Sequence, residues 1–105
     1  MKYNEITAVV DVLAMKRVRK KLREINVPGI TVFQVQGYGA QKNFFRRDMM
    51  QQHSCLRVIA PEDETEHIVR TIMDTAHADL KGDGIISVSQ LDAYYSIRDK
   101  KRLDG

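Results

Sequence analysis

Tryptophan is absent from this 105-residue chain, and four tyrosines and three phenylalanines supply all its aromatic rings. No predicted strand carries the paired aromatics that stack bases in sheet-type RNA binders, so nucleic acid is not an expected partner. Cysteine occurs once, at Cys55. That excludes an intrachain disulfide framework and fits a reducing, cytoplasmic setting. No apolar run is long enough to span a bilayer. The first residues lack the basic and apolar regions of a signal peptide.

Also missing is any Ser/His/Asp, Cys/His or paired-carboxylate arrangement of the kind that carries catalysis, so no enzyme is expected. His53 and Cys55 would share one face of a strand. A thiolate activated there is conceivable, but a packed structural pair is the favoured reading. His67 and His77 fall on one predicted helix without metal-ligand spacing. No metal site made by one chain is expected.

What the chain does contain is ordinary for a globular domain: 43% hydrophobic and 30% charged residues, with a formal net charge of +3. Its length predicts one domain over residues 1–105, with a core too small to cover every apolar face. The mild positive excess suits anionic ligands without arguing for nucleic acid.

Alternation and helical periodicity then predict an order of elements. Glu5–Val12 reads as a strand with apolar residues on both faces. Met15–Asn26 carries Met15, Val18, Leu22 and Ile25 at helical spacing, and its opposite face is basic: Lys16, Arg17, Arg19, Lys20, Lys21 and Arg23. A solvated face is the favoured reading of those charges. Pro28 ends the helix. Gly29–Tyr38 is the second strand, 40–53 a long exposed loop, and Cys55–Ala60 the third strand. A second helix follows Pro61, with Asp63 as its cap and Glu66 three residues on. Its buried face is predicted to be Ile68, Val69, Ile72, Met73 and Ala76. Ile85–Ser89 is the fourth strand, and a polar tail runs from Gln90 to the end.

The order β-α-β-β-α-β predicts a ferredoxin-like α+β fold, a four-stranded antiparallel sheet with both helices on one face. The helix-free face then needs a cover that a monomer of this size lacks, which predicts sheet packing in a homo-oligomer.

One turn stands apart. Lys81-Gly82-Asp83-Gly84 leads directly into Ile85-Ile86. Glycines on both sides of an aspartate permit positive φ and outward N–H groups, a small concavity able to hold an anion. By itself, a plain helix-to-strand connector is the favoured reading.

With these segments assembled, the chain resembles the PII signalling family over about residues 3 to 98. Gly29-Ile30-Thr31-Val32 and Gly37-Tyr38-Gly39-Ala40-Gln41-Lys42 resemble that family's second strand and the entry to its T-loop. Thr71–Ala76 followed by Gly82-Asp83-Gly84 resembles its second helix and B-loop. Ile97-Arg98 falls where the family carries C-loop arginines.

The resemblance implies a homotrimer with an adenine nucleotide in each intersubunit cleft. Gly82, Asp83 and Gly84 would hold phosphates, with Gly37, Gly39 and Gln41 approaching from the T-loop base. Val9, Thr31 and Ile59 would surround the adenine. Arg98 of a neighbouring chain would pair with phosphate, a task that suits its permanently charged fork.

Three positions depart from the family pattern: Ile85 and Ala40 stand where cations are usual, and Ser96 replaces one of two C-loop arginines. Each lost charged contact is worth roughly 1.5–3 kcal/mol, so the expected ligand widens from ATP to ADP, AMP or cyclic AMP.

The loop, about residues 40–53, is shorter than in nitrogen-regulatory members and lacks their modified tyrosine. Its Lys42, Phe44, Phe45, Arg46 and Arg47 are the expected partner-docking residues, since apolar anchors beside arginines are common hot-spot chemistry. The resemblance fits a divergent PII-like regulator whose partner is a membrane transporter, of bicarbonate or inorganic carbon. The alternative is a trimeric metal-handling or scaffold protein of the same fold that binds no nucleotide.

Overall fold

The computed structural model describes residues 2–35, 53–77 and 84–104. Its elements run β1 (Tyr3–Asp11), α1 (Val12–Glu24), β2 (Thr31–Val35), β3 (His53–Pro61), α2 (Glu62–Ala76), β4 (Gly84–Gln90), β5 (Tyr95–Ser96) and β6 (Lys101–Arg102). The first four strands form one antiparallel sheet in the order β2-β3-β1-β4. Both helices contact the sheet and each other. The ferredoxin-like arrangement predicted from the sequence is the one observed.

Alternation along β1 builds the core. Ile6, Ala8 and Val10 are buried toward the helices, and the residues between them are half-buried on the other face. Leu56, Val58 and Ala60 of β3 continue the buried layer. From above, Met15, Val18 and Leu22 of α1 and Ile68 and Ile72 of α2 close it. The stripe predicted for α1 is therefore the packing face, although Ile25 is only half-buried and packs at its rim.

Several boundaries differ for identifiable reasons. The first strand ends at Asp11, not Val12, because the Asp11 carboxylate accepts a hydrogen bond from the Leu13 amide at 2.8 Å and starts the helix there. The second strand starts at Thr31, not Gly29, because Gly29 has a left-handed φ of 64°. His53 is the first residue of β3, not the end of the loop, and is buried.

Asp63 does not cap α2. The cap is Pro61, and its side chain makes no capping bond. The Glu62 amide instead donates to the Lys2 carbonyl at 2.9 Å, so an adjacent backbone satisfies the helix start. Asp63 sits one residue into the acidic first turn, where it still faces the positive end of the helix dipole. Met73, expected in the core, is 44% exposed.

The tail corrects the sequence reading most. Gln90 belongs to β4, and beyond it β5 and β6 form a small hairpin. Its root is fixed to the sheet: the Leu91 amide donates to the Tyr3 carbonyl at 2.9 Å, and the Tyr3 and Tyr94 rings lie 4.9 Å apart. Polar composition hid this element, because it is held by backbone pairing and polar side-chain bonds rather than by an apolar stripe.

Gly84 has φ 136°. A Cβ there would overlap the Val9 carbonyl oxygen and stand 3.1 Å from Val10 Cα. Both neighbours are backbone of the central strand, which cannot yield cheaply. Gly84→Ala is therefore expected to destabilise the fold by more than about 2 kcal/mol, read by urea denaturation. Leu22→Ala, fully buried in the wild type, should cost about 2–5 kcal/mol. Stability unchanged in either variant would contradict this packing.

Candidate functional site

Strand register decides which predicted site residues meet. On β1, Val9 pairs with Cys55 on one side and Ile85 on the other, and Val10 pairs with Gly84. Val9, proposed to line the adenine, thus lies beside Gly84 at the entry to β4. The cause is local: Gly84 passes so close to the Val9 carbonyl that no side chain fits. Beside it, between α2 and β4, opens a cleft of about 510 Å³ lined by Val69, Met73, Ala76, His77, Ile85 and Ile86. Arg70 and Asp74 also reach this cleft.

Thr31 and Ile59 share the helix-free face with Val9 but not its position. Thr31 is on edge strand β2, opposite Arg57 of β3. Ile59 lies opposite Glu5, and it lines a separate cleft of about 430 Å³ with Tyr3, Pro28, Tyr94 and Leu103. One chain therefore does not gather Val9, Thr31 and Ile59 around a single ligand. Gly37, Gly39, Gln41, Gly82 and Asp83 lie outside the described residues. So do Lys42, Phe44, Phe45, Arg46 and Arg47, and Ala40 with them.

Across the helix-free face the side chains fall in rows. Phe33, Cys55, Val9 and Ile85 form an apolar row; Thr31, Arg57, Thr7 and Ser87 form the polar row beside it. Phe33 and Ile85 are partly exposed, whereas Cys55 is buried. Four apolar residues of this face thus share one row, while Ile59 lies apart from it.

Arg57 is the cation that sequence reasoning missed. Its Nε lies 3.4 Å from the Glu5 carboxylate, and its guanidinium stacks over the Phe33 ring at 5.5 Å. It stands directly beside Thr31. An arginine inside an otherwise apolar strand was the available signal, because a charge in mid-sheet must point away from the core.

Cys55 and His53 do share a strand face, and both are buried. Burial pushes the Cys55 thiol up, and the nearby Arg57 charge offsets this only in part. A thiol so held is protonated and poorly nucleophilic, in line with the packed structural reading. Among the described residues, no group of three or more His, Cys, Asp or Glu side chains is placed to hold a metal ion.

Arg98 sits in the turn between β5 and β6, exposed, next to the almost fully exposed Ile97. Ser96 has a task of its own: its hydroxyl oxygen accepts from the Asp99 amide at 3.1 Å and braces that turn. A clamp closes the hairpin below. Arg102 donates to both Asp104 carboxylate oxygens, at 2.8 and 3.1 Å, and to the Asp92 carbonyl at 3.1 Å. Asp104 also accepts from the Tyr94 amide at 3.0 Å.

The family profile described as "P-II: Nitrogen regulatory protein P-II" matches residues 3–101. The chain belongs to the P-II family. It is 28% identical over 102 residues to Nitrogen regulatory protein P-II 1 of Escherichia coli strain K12, covering 90% of each chain. It is 28% identical over 101 residues to Nitrogen regulatory protein P-II of Pyropia yezoensis, again covering 90% of each. Against the Nitrogen regulatory protein P-II homolog of Arabidopsis thaliana it is 26% identical over 109 residues, covering 96% of this chain and 56% of the relative. The crystal structure of Arabidopsis thaliana PII bound to citrate superposes with a TM-score of 0.81 at 23% identity, over 98% of this chain and 90% of that one. That likeness establishes the fold. As a P-II protein this chain is a PII-type regulator, and the resemblance read from its segments is borne out.

The clamp generates a pH dependence. The Arg102 guanidinium, with help from the Tyr94 amide, holds the Asp104 carboxyl far below the ordinary value of 3.8. A depressed folded value means the hairpin is fully supported above that ordinary value and loses support as pH falls below it. Amide protection at Tyr94 and Leu103 is expected to hold from neutral pH to about pH 4 and decline on further acidification. Asp104→Asn should lower it at neutral pH and remove its dependence on acidification. Protection that follows neither would refute the clamp. For Cys55, native protein should react slowly with a thiol reagent and urea-unfolded protein quickly.

Proposed function

We propose that this protein is a trimeric, cytoplasmic P-II-type sensor whose effector is an adenine nucleotide bound between subunits. Binding would bias the loop at about residues 40–53, and through it the affinity for a membrane transporter of bicarbonate or inorganic carbon. One observation carries the reading: Val9 lies directly beside Gly84, while Thr31 and Ile59 sit elsewhere on the same face. A ligand touching all of them needs more than one copy of the chain. Sheet faces packed together in an oligomer would supply that meeting, and a partly exposed apolar row gives them reason to pack.

In this reading the Gly82-Asp83-Gly84 segment would offer backbone N–H groups to phosphate, Val9 and Ile59 of different chains would supply apolar contacts, and Arg98 would supply a cation. Ile85 contributes no charge next to Gly84, and Ser96 is engaged within its own turn. The ligand is accordingly one that needs few cations: ADP, AMP or cyclic AMP ahead of ATP. Switching follows from differential contact: a ligand touching the loop base favours whichever loop population completes its site.

Calorimetric titration of ATP, ADP, AMP and cyclic AMP tests this. Binding of at least one, weakened at least tenfold by Arg98→Ala, is expected. Heat-silence across all four at millimolar ligand would overturn it, and would favour a nucleotide-free metal-handling or scaffold role. A scattering mass of one chain would remove the shared cleft. Gly84→Asp is a poor probe, because any side chain there collides with β1.

A further inference from the structure

The polar row of the helix-free face contains one charged residue, Arg57. Strand register fixes its neighbours. Thr31 of β2 is directly opposite, and Ile59 follows two residues along β3 on the same face. Cross-strand partners stand about 5 Å apart, and same-face residues of one strand about 7 Å. Thr31 and Ile59 are two of the three residues proposed to surround the adenine. A flat ring that touches both passes over the Arg57 side chain.

That side chain is held ready for such a contact. Its guanidinium lies over the Phe33 ring, 5.5 Å from the centroid. Its Nε lies 3.4 Å from the Glu5 carboxylate. Phe33 belongs to the row on one side and Glu5 to the row on the other, on the two strands that flank β3. The guanidinium is thus fixed from opposite corners. Its side chain still keeps 48% of its surface exposed. An ion pair so exposed adds little to stability, so orientation is what Glu5 supplies.

We infer that Arg57 is a ligand-binding residue of the nucleotide cleft, its guanidinium stacking on the purine base between Thr31 and Ile59, with Glu5 as the residue that positions it. The inference rests on the nucleotide reading above. It needs no uncovered surface. In that reading a neighbouring subunit closes over this face, and the base is held within the closure.

The chemistry suits a base. A guanidinium is planar, delocalised and weakly hydrated, and it stacks on aromatic faces, whereas a lysine ammonium is a strongly hydrated point charge. The partner is the base and not the phosphates, because Thr31 and Ile59 are the residues expected around the adenine. Arg57 therefore does not replace the cations missing at Ile85, Ala40 and Ser96, and the preference for a ligand needing few cations stands.

Calorimetric titration of the full-length protein tests this, with ATP, ADP, AMP and cyclic AMP each run against wild type, Arg57→Ala and Arg57→Lys. Affinity is expected to fall about tenfold in both variants, since lysine keeps the charge but not the plane. The factor should agree within about threefold for every nucleotide that binds, whatever its number of phosphates. Glu5→Gln should cost less than Arg57→Ala and add nothing on top of it, because it acts through Arg57. Scattering masses and thermal melts matching the wild type establish that each variant is assembled and folded.

Arg57→Ala within twofold of a wild type that binds would overturn this inference alone. Wild-type affinity in Arg57→Lys would overturn stacking in favour of a charge contact to phosphate. A reduced scattering mass for Arg57→Ala would overturn it in favour of a role in subunit assembly. An equal loss from Glu5→Gln in the Arg57→Ala background would overturn the role given to Glu5. Heat-silence of the wild type would overturn the nucleotide reading and this inference with it.

Discussion

Everything in this molecule is referred to β1. It is hydrogen-bonded on both sides, to β3 along its whole length from Tyr3 to Asp11 and to β4 from Asn4 to Val10. Its inward residues Ile6, Ala8 and Val10 are the floor on which both helices rest. Its outward Val9 is the centre of the opposite face. A strand so constrained cannot shift by one residue without turning its buried set toward solvent. Registers on both sides are thereby fixed, and with them the rows of side chains that any ligand or second subunit would meet.

Gly84 shows how tightly β4 is held to that strand. The glycine is needed because β4 begins pressed onto the Val9 carbonyl with a backbone φ of 136°. The requirement exists whether or not a phosphate is bound. Sheet closure by itself accounts for a glycine at this position. Thus Gly84 alone says less about a ligand than the composition of its turn suggests.

Much of the fold was legible because burial writes itself into alternation. Ile6, Ala8 and Val10, and Val18 and Leu22, are apolar because they face the core, and the patterns of two and of three-to-four followed directly. Illegible features rested on bonds rather than on side-chain polarity. The Asp11 cap starts α1 three residues ahead of the apolar stripe's first member. At α2, a Lys2 carbonyl does the work that Asp63 was expected to do. The terminal hairpin is built from backbone pairing and one Arg102–Asp104 clamp, in a segment whose composition reads as solvated tail. For the site, sequence identified residues but could not say that Val9 and Gly84 are neighbours while Thr31 and Ile59 stand apart. Sheet register determines that, and strand order is a property of the whole chain.

The narrowness of the apolar row on the helix-free face has a geometrical effect. Phe33, Cys55, Val9 and Ile85 make a seam one residue wide, bordered on one side by Thr31, Arg57, Thr7 and Ser87. A broad oily plate would let a covering surface slide and still be content. A seam does not: displacement by one side-chain repeat toward the polar row would set apolar atoms against an arginine and three hydroxyls. A subunit packed on this face would therefore be held against displacement toward that polar row.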